Sequence, residues 1–118
     1  MTRVPSRELR EGWATELDYV SPALGAHAVS LRVYQMHPGR GAGPTHYHSE
    51  SESIYYVLAG RVVVTLEGRH HELGRGDLAF IAPGATHSIE TAGGTEASIL
   101  ELYAPGEADF VHVAPRTD

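Results

Sequence analysis

The sequence contains no cysteine, no lysine and no asparagine, and glutamine occurs once, at Gln35. Without cysteine there are no disulfides, thiolate metal sites, iron–sulfur clusters or thiol nucleophiles. Without lysine there is no Schiff-base chemistry and no phosphate-loop lysine. Long apolar runs are missing too: none approaches the ~20 residues that a membrane helix needs. Positive charge is scarce. Nine arginines stand against 15 acidic residues, for a net charge of −6. Such a chain has no electrostatic reason to seek nucleic acid or an anionic membrane. Residues 1–11 are polar and charged, with no apolar stretch of the secretory kind, so a cytoplasmic protein is expected.

What is present is 8 His, 13 Gly and 7 Pro in 118 residues. The length suits one domain, with no linker or internal repeat. Folding would bury roughly two-thirds of an extended surface of about 18,000 Å², enough for a core without staples.

Helix has little to build on. Residues 6–12 are the one candidate, with Ser6 as cap, and Leu9 is their single apolar side chain. From residue 28 onward the pattern turns to period two or to short apolar runs. Val29, Leu31 and Val33 alternate with Ser30, Arg32 and Tyr34. Further strands are expected at residues 54–58, 62–66, 70–73, 78–81, 87–91, 97–103 and 110–113. Gly60, Gly68, Gly74, Gly84 and Gly93-Gly94 punctuate them. Short strands separated by glycine every eight to twelve residues read as an all-β sandwich or barrel.

Residues 54–58 and 62–64 are apolar on both faces, yet a small barrel has one inside. The outer face therefore needs a cover. Either the N-terminal segment (Trp13, Leu17, Tyr19, Val20) or a second subunit would supply it, and a homodimer is expected.

The densest polar cluster is HYHSESE at residues 46–52. Residues i and i+2 of a strand share a face, so His46 and His48 would project into the same space. Two neutral imidazoles make half a metal site, and a carboxylate just after them adds an anionic ligand. His87, at a strand start behind Pro83-Gly84, could deliver a third imidazole. Such a set suits Fe, Mn, Ni, Co or Zn as divalent ions, with water in open positions. His27, His37, His70, His71 and His112 have no comparable grouping, and Glu50 reads equally well as a solvated loop charge.

These residues carry a family resemblance. The stretch PGRGAGPTHYHSESESIYYVLAG, residues 38–60, resembles the first motif of the cupin family, and GDLAFIAPGATHSIET, residues 76–91, resembles the second. Both occur in order, separated by a strand–turn–strand. The resemblance extends over residues 29–103 and implies a double-stranded β-helix, a small jelly-roll barrel spanning about residues 28–104. It also implies a metal held by three His and one Glu.

On the matching positions, His46, His48 and His87 become the metal-binding histidines. The glutamate position, counted back from Gly60, is filled by Ser53, and Glu52 lies one residue early. A one-residue shift on a strand turns a side chain to the other face. Glu52 is taken as the fourth ligand, reached through an irregular strand entry; a three-His site completed by water is the alternative.

Cupins carry out oxygenation, isomerisation and lyase reactions or only bind ligands, so the resemblance does not choose a reaction. A metal-dependent enzyme on a small organic molecule is expected, with a non-catalytic binding or sensor protein as the alternative. Gln35, Tyr55 and Phe80 are the candidate ligand-contacting residues, with core packing the competing role for Tyr55 and Phe80.

Overall fold

Two-residue and glycine turns dictate how this chain doubles back. Between Leu66 and Arg69 only Glu67 and Gly68 intervene, both at positive φ (50° and 78°). That is the geometry which matches the twist of two hairpin strands. At Gly60, φ is 77°, and a Cβ there would lie 2.5 Å from the Glu96 carbonyl oxygen. The turn admits no side chain.

The computed structural model describes residues 7–10, 14–21, 25–39, 43–106 and 109–113. Their strands are β1 (Arg7–Arg10), β2 (Ala14–Val20), β3 (Ser30–Met36), β4 (His46–Tyr47), β5 (Glu52–Ala59) and β6 (Arg61–Leu66). They continue as β7 (Arg69–Gly74), β8 (Leu78–Ile81), β9 (His87–Thr91), β10 (Ala97–Ala104) and β11 (Val111–His112). All pairings are antiparallel, in two sheets ordered β1-β2-β3-β10-β5-β8 and β11-β4-β9-β6-β7. This is the expected double-stranded β-helix. Among the described residues there is no helix, and none long and apolar enough to cross a membrane.

The N-terminal helix is not formed. Residues 7–10 are a strand running from Arg7↔Asp18 to Arg10↔Thr15 against β2, while residues 6, 11 and 12 lie outside the described residues. A lone Leu9 offers no helical face, and an open β2 edge offers a ladder of backbone partners.

The inner faces meet over Met36, Val57, Val62, Val64, Ile81, Ile89 and Ile99, all buried. The phase of β3 is opposite to the sequence expectation. Ser30, Arg32, Tyr34 and Met36 face inward, and Leu31, Val33 and Gln35 face out. The reason lies on the outer side of the same sheet, which is apolar. Tyr56, Leu58, Leu78 and Phe80 stand there, 38–53% exposed, with Leu78 opposite Tyr56 and Phe80 opposite Ile54. The described β2 part of the N-terminal segment does not lie over this face. β2 joins the sheet edge-on beside β3, placing Leu17 opposite Val33 and carrying Tyr19 and Val20 in the same strand; Trp13 is outside the described residues.

Candidate metal centre and ligand cavity

β4 and β9 pair at one point, His46 opposite His87. His48 follows two residues after His46 and shares its inward face. The three rings converge: centroids are 4.3 Å apart for His46–His87, 5.0 Å for His46–His48 and 5.3 Å for His48–His87. One ring nitrogen from each lies within 4.8 Å of the others. All three residues are buried, with at most 9% of their surface exposed.

Their hydrogen bonds settle the tautomer. Nδ1–H of His46 donates to the Pro44 carbonyl (2.8 Å), that of His48 to Asp109 (2.7 Å) and that of His87 to Ala85 (2.9 Å). A carbonyl only accepts, so each Nδ1 carries the proton and each Nε2 keeps its lone pair. All three Nε2 atoms are buried without a partner. Three orphaned acceptors aimed at one point are what a cation would satisfy. Burial also holds the His46 imidazole below its ordinary range and pushes His87 down to about 4, so both are neutral, as ligands must be.

Glu52 does not join this cluster. That side chain is exposed at the first position of β5, opposite Ala104, and Glu50 is exposed as well. Ser53 faces inward, fully buried and opposite Tyr103, and its Oγ has no partner. Tyr103 in turn stacks on His48, 5.6 Å between centroids. The strand enters without the irregularity that would turn Glu52 inward, so alternation leaves a serine where a carboxylate was expected.

Beside His46 opens a cavity of about 340 Å³. One wall is apolar or aromatic: Ile89, Phe110 and His112, with Ile99 on the facing sheet beside Tyr34. Phe110 packs edge-on against His48 (4.6 Å) and lies 5.3 Å from His46. The other wall is a polar network on four adjacent strands: Glu16, Arg32, Tyr34, Tyr55 and Glu101. Arg32 Nη1 is 3.1 Å from Glu16 Oε1, and Tyr34 Oη is 2.8 Å from that oxygen and 3.3 Å from Glu101 Oε1. Tyr55 hydrogen-bonds Glu101 from the other side. Burial, only partly offset by Arg32, pushes the Glu101 carboxyl up to about 7.

Of the three expected ligand-contacting residues, Tyr55 alone lines this cavity. Gln35 is on the outer face, accepting from Ser98 Oγ (2.9 Å), and Phe80 is 52% exposed on β8. The polar wall was missed by sequence reasoning. Its signal was a charged residue set inside an apolar strand, as in LRVY and LELY.

Comparison with known proteins agrees with the fold. The family model for the cupin domain matches residues 32–103. The polyketide cyclase RemF from Streptomyces resistomycificus is similar in structure, with a TM-score of 0.78 and 30% identity, covering 100% of this chain and 89% of that one. The tetracenomycin polyketide synthase protein TcmJ of Streptomyces glaucescens is 28% identical over 96 residues, 81% of this chain and 64% of TcmJ. An oxalate-binding protein of Thermotoga maritima is 35% identical over 65 residues, 55% of this chain and 53% of that protein. The chain thus spans less than two thirds of either of these two curated relatives.

Proposed function

The chain belongs to the cupin family, and we propose that it is a metal-dependent enzyme acting on a small organic molecule held in the cavity beside His46. The observation that carries this reading is the trio of buried Nε2 atoms, each left without a partner while its Nδ1 is pinned. His46, His48 and His87 would hold a divalent Fe, Mn, Ni, Co or Zn ion, with water in place of a carboxylate ligand. When bound, such an ion supplies Lewis-acid or redox chemistry at a substrate oxygen.

The chain's own residues do the rest. Ile89 and Phe110 exclude water from one side of the bound molecule, and the Glu16–Tyr34–Glu101 wall orients it from the other. Among oxygenase, isomerase and lyase reactions, the similarity to a polyketide cyclase along the whole chain favours a ring-forming lyase or isomerase type. Binding without turnover is the second reading, favoured by the oxalate-binding relative. We further place the enzyme in the cytoplasm as a homodimer, joined through the face that bears Tyr56, Leu58, Leu78 and Phe80.

Elemental analysis of the purified protein beside a His46→Ala/His48→Ala variant tests the centre. About one transition metal per chain in the parent and almost none in the variant is expected. Equal metal in both would overturn it. Oxygen uptake with a substrate would move the reading to an oxygenase, and tight ligand binding without product would move it to the binding protein.

A further inference from the structure

The polar wall of the cavity contains more hydrogen-bond acceptors than it has protons to share, and this limits what can bind. Glu16 and Tyr34 are cross-strand partners on β2 and β3, while Glu101 on β10 stands opposite Arg32 on one side and Tyr55 on the other. Glu16, Tyr34, Tyr55 and Glu101 are each at most 7% exposed. Tyr34 has one hydroxyl proton, yet its oxygen lies 2.8 Å from a Glu16 oxygen and 3.3 Å from a Glu101 oxygen. With both carboxyls ionised, one acceptor would face another across a dry gap.

A proton on one carboxyl resolves this. Glu16 has the Arg32 guanidinium at 3.1 Å, so it is the carboxylate, and Glu101 keeps the proton. The order is then Glu101 O–H donating to Tyr34, Tyr34 O–H donating to Glu16, and the Arg32 guanidinium donating to Glu16 as well. Burial favours the same assignment by raising Glu101 to about 7. The wall is neutral in this state, and its single cation is already matched. What remains on offer is the Arg32 Nε–H, buried and without a partner. On the other sheet's side stand Ile89 and the Phe110 ring, and Ile99 adds an aliphatic surface beside Tyr34.

We infer that the cavity takes an uncharged, oxygen-bearing aromatic molecule and rejects carboxylates, with Glu16, the carboxylate that already matches Arg32, as the residue that enforces the choice. A ligand carboxylate would sit beside Glu16 and force a second negative charge on a wall with one guanidinium. Like charges brought together in a desolvated site cost enough to exclude one of them. A phenolic or ketonic oxygen meets no such penalty. The inference rests on the cavity being the ligand site, as proposed above, and not on a metal being present.

A matched pair of probes tests it. Binding of 2-naphthol and 2-naphthoate to the purified full chain is measured by equilibrium dialysis, once with its metal and once after chelation. In both states 2-naphthol should bind at least about tenfold tighter. Glu101→Gln, which is uncharged like the protonated acid, should leave the preference within about threefold of the parent's. Glu16→Gln, which frees Arg32, should reverse it. Equal or tighter binding of 2-naphthoate by the unmodified chain would overturn the inference, as would binding of neither probe. Because the comparison is made in the unmodified protein, it does not depend on the variants folding. If metal content proves independent of His46 and His48 while the naphthol preference persists, the metal reading falls and this one stands.

Discussion

His46 and His87 face each other across a single cross-strand pair, and each donates its Nδ1 proton to the carbonyl two residues before it. The backbone thus aims both rings before any ion arrives. Such outer contacts fix the tautomer and the direction of a ligating nitrogen. A site arranged in advance binds with little reorganisation, so metal should be coupled to stability. At about 100 times its dissociation constant a bound ion adds ~2.7 kcal/mol. For a domain of this size, chelation should therefore lower the melting temperature by on the order of 10 °C. His87→Ala should show a chelator shift below about 2 °C by calorimetry. A shift in that variant as large as in the parent would remove His87 from the site.

Glu101 has a carboxyl that ordinarily titrates near 4.5 and is pushed up to about 7 by burial in the fold. The folded chain therefore holds a proton that the unfolded chain releases between those values. The associated stability is full below 4.5 and is lost as the pH rises through 7. His46 and His87, depressed by burial, act in the opposite sense: their contribution is lost as the pH falls below about 6.5. Glu101→Gln removes the first effect and leaves the second. The stability of the metal-free parent minus that of the variant, from urea unfolding, should fall from pH 4.5 to 7 and flatten above it. A difference independent of pH would show that Glu101 is ionised throughout.

Asp109 links the C-terminal stretch to the three-histidine cluster in two ways. Its carbonyl accepts from His48 Nδ1, and its carboxylate accepts from the Ser49 backbone amide (2.7 Å) and hydroxyl. Loss of the carboxylate should free this stretch to drift from His48. Asp109→Ala is expected to weaken metal binding about tenfold in a competition assay. The melting temperature of the metal-free protein should barely move, because the carboxylate is exposed. Asp109→Asn, which keeps an acceptor oxygen, should recover most of the affinity.

How much of this could be read from the sequence depended on whether one face of a strand was distinctive. His46, His48 and His87 could be placed, because an i, i+2 pair of imidazoles and a third behind a Pro-Gly turn have few structural alternatives. β3 could not. Its alternation was visible, but alternation gives two faces without saying which is inside. Leu31 and Val33 claimed the interior on hydrophobicity, while Arg32 and Tyr34 occupy it through bonds to Glu16 and Glu101, on strands 15 or more residues away. Glu52 lies outside the histidine cluster for a related reason: one residue of register decides the face, and the register is set by pairing with β10. β1 carries too little pattern of its own and is a strand because β2 has an edge to fill.

Gly60 tests the turn that sets the β5 register. An alanine there would need a left-handed backbone, and its Cβ would press on the Glu96 carbonyl at 2.5 Å. The two nearest atoms, that carbonyl oxygen and Ala97 Cα at 2.9 Å, are both backbone. Gly60→Ala should cost about 2–4 kcal/mol in urea unfolding. Gly76→Ala, with a similar φ of 88° but nothing within 4 Å, should cost about 1–2 kcal/mol from the backbone alone. Equal losses in the two would mean that the Glu96 contact relaxes freely.

The outer face of the larger sheet supplies the test of self-association. Phe80 and Leu78 on β8 are about half exposed beside Tyr56 and Leu58 on β5, so four large apolar side chains share one flat surface. Polar residues at these strand positions would have served a monomer better, and β2 extends the sheet without covering them. If two copies meet here by a two-fold axis, each residue is used twice, and a charge at the centre is introduced twice. Phe80→Glu should therefore weaken association at least about 100-fold, seen as a halving of mass by light scattering at micromolar concentration. The cavity is on the opposite face of the sheet, so binding of 2-naphthol should be retained in the variant. A parent chain that is already monomeric, or a variant that stays dimeric, would show that this face is not the interface.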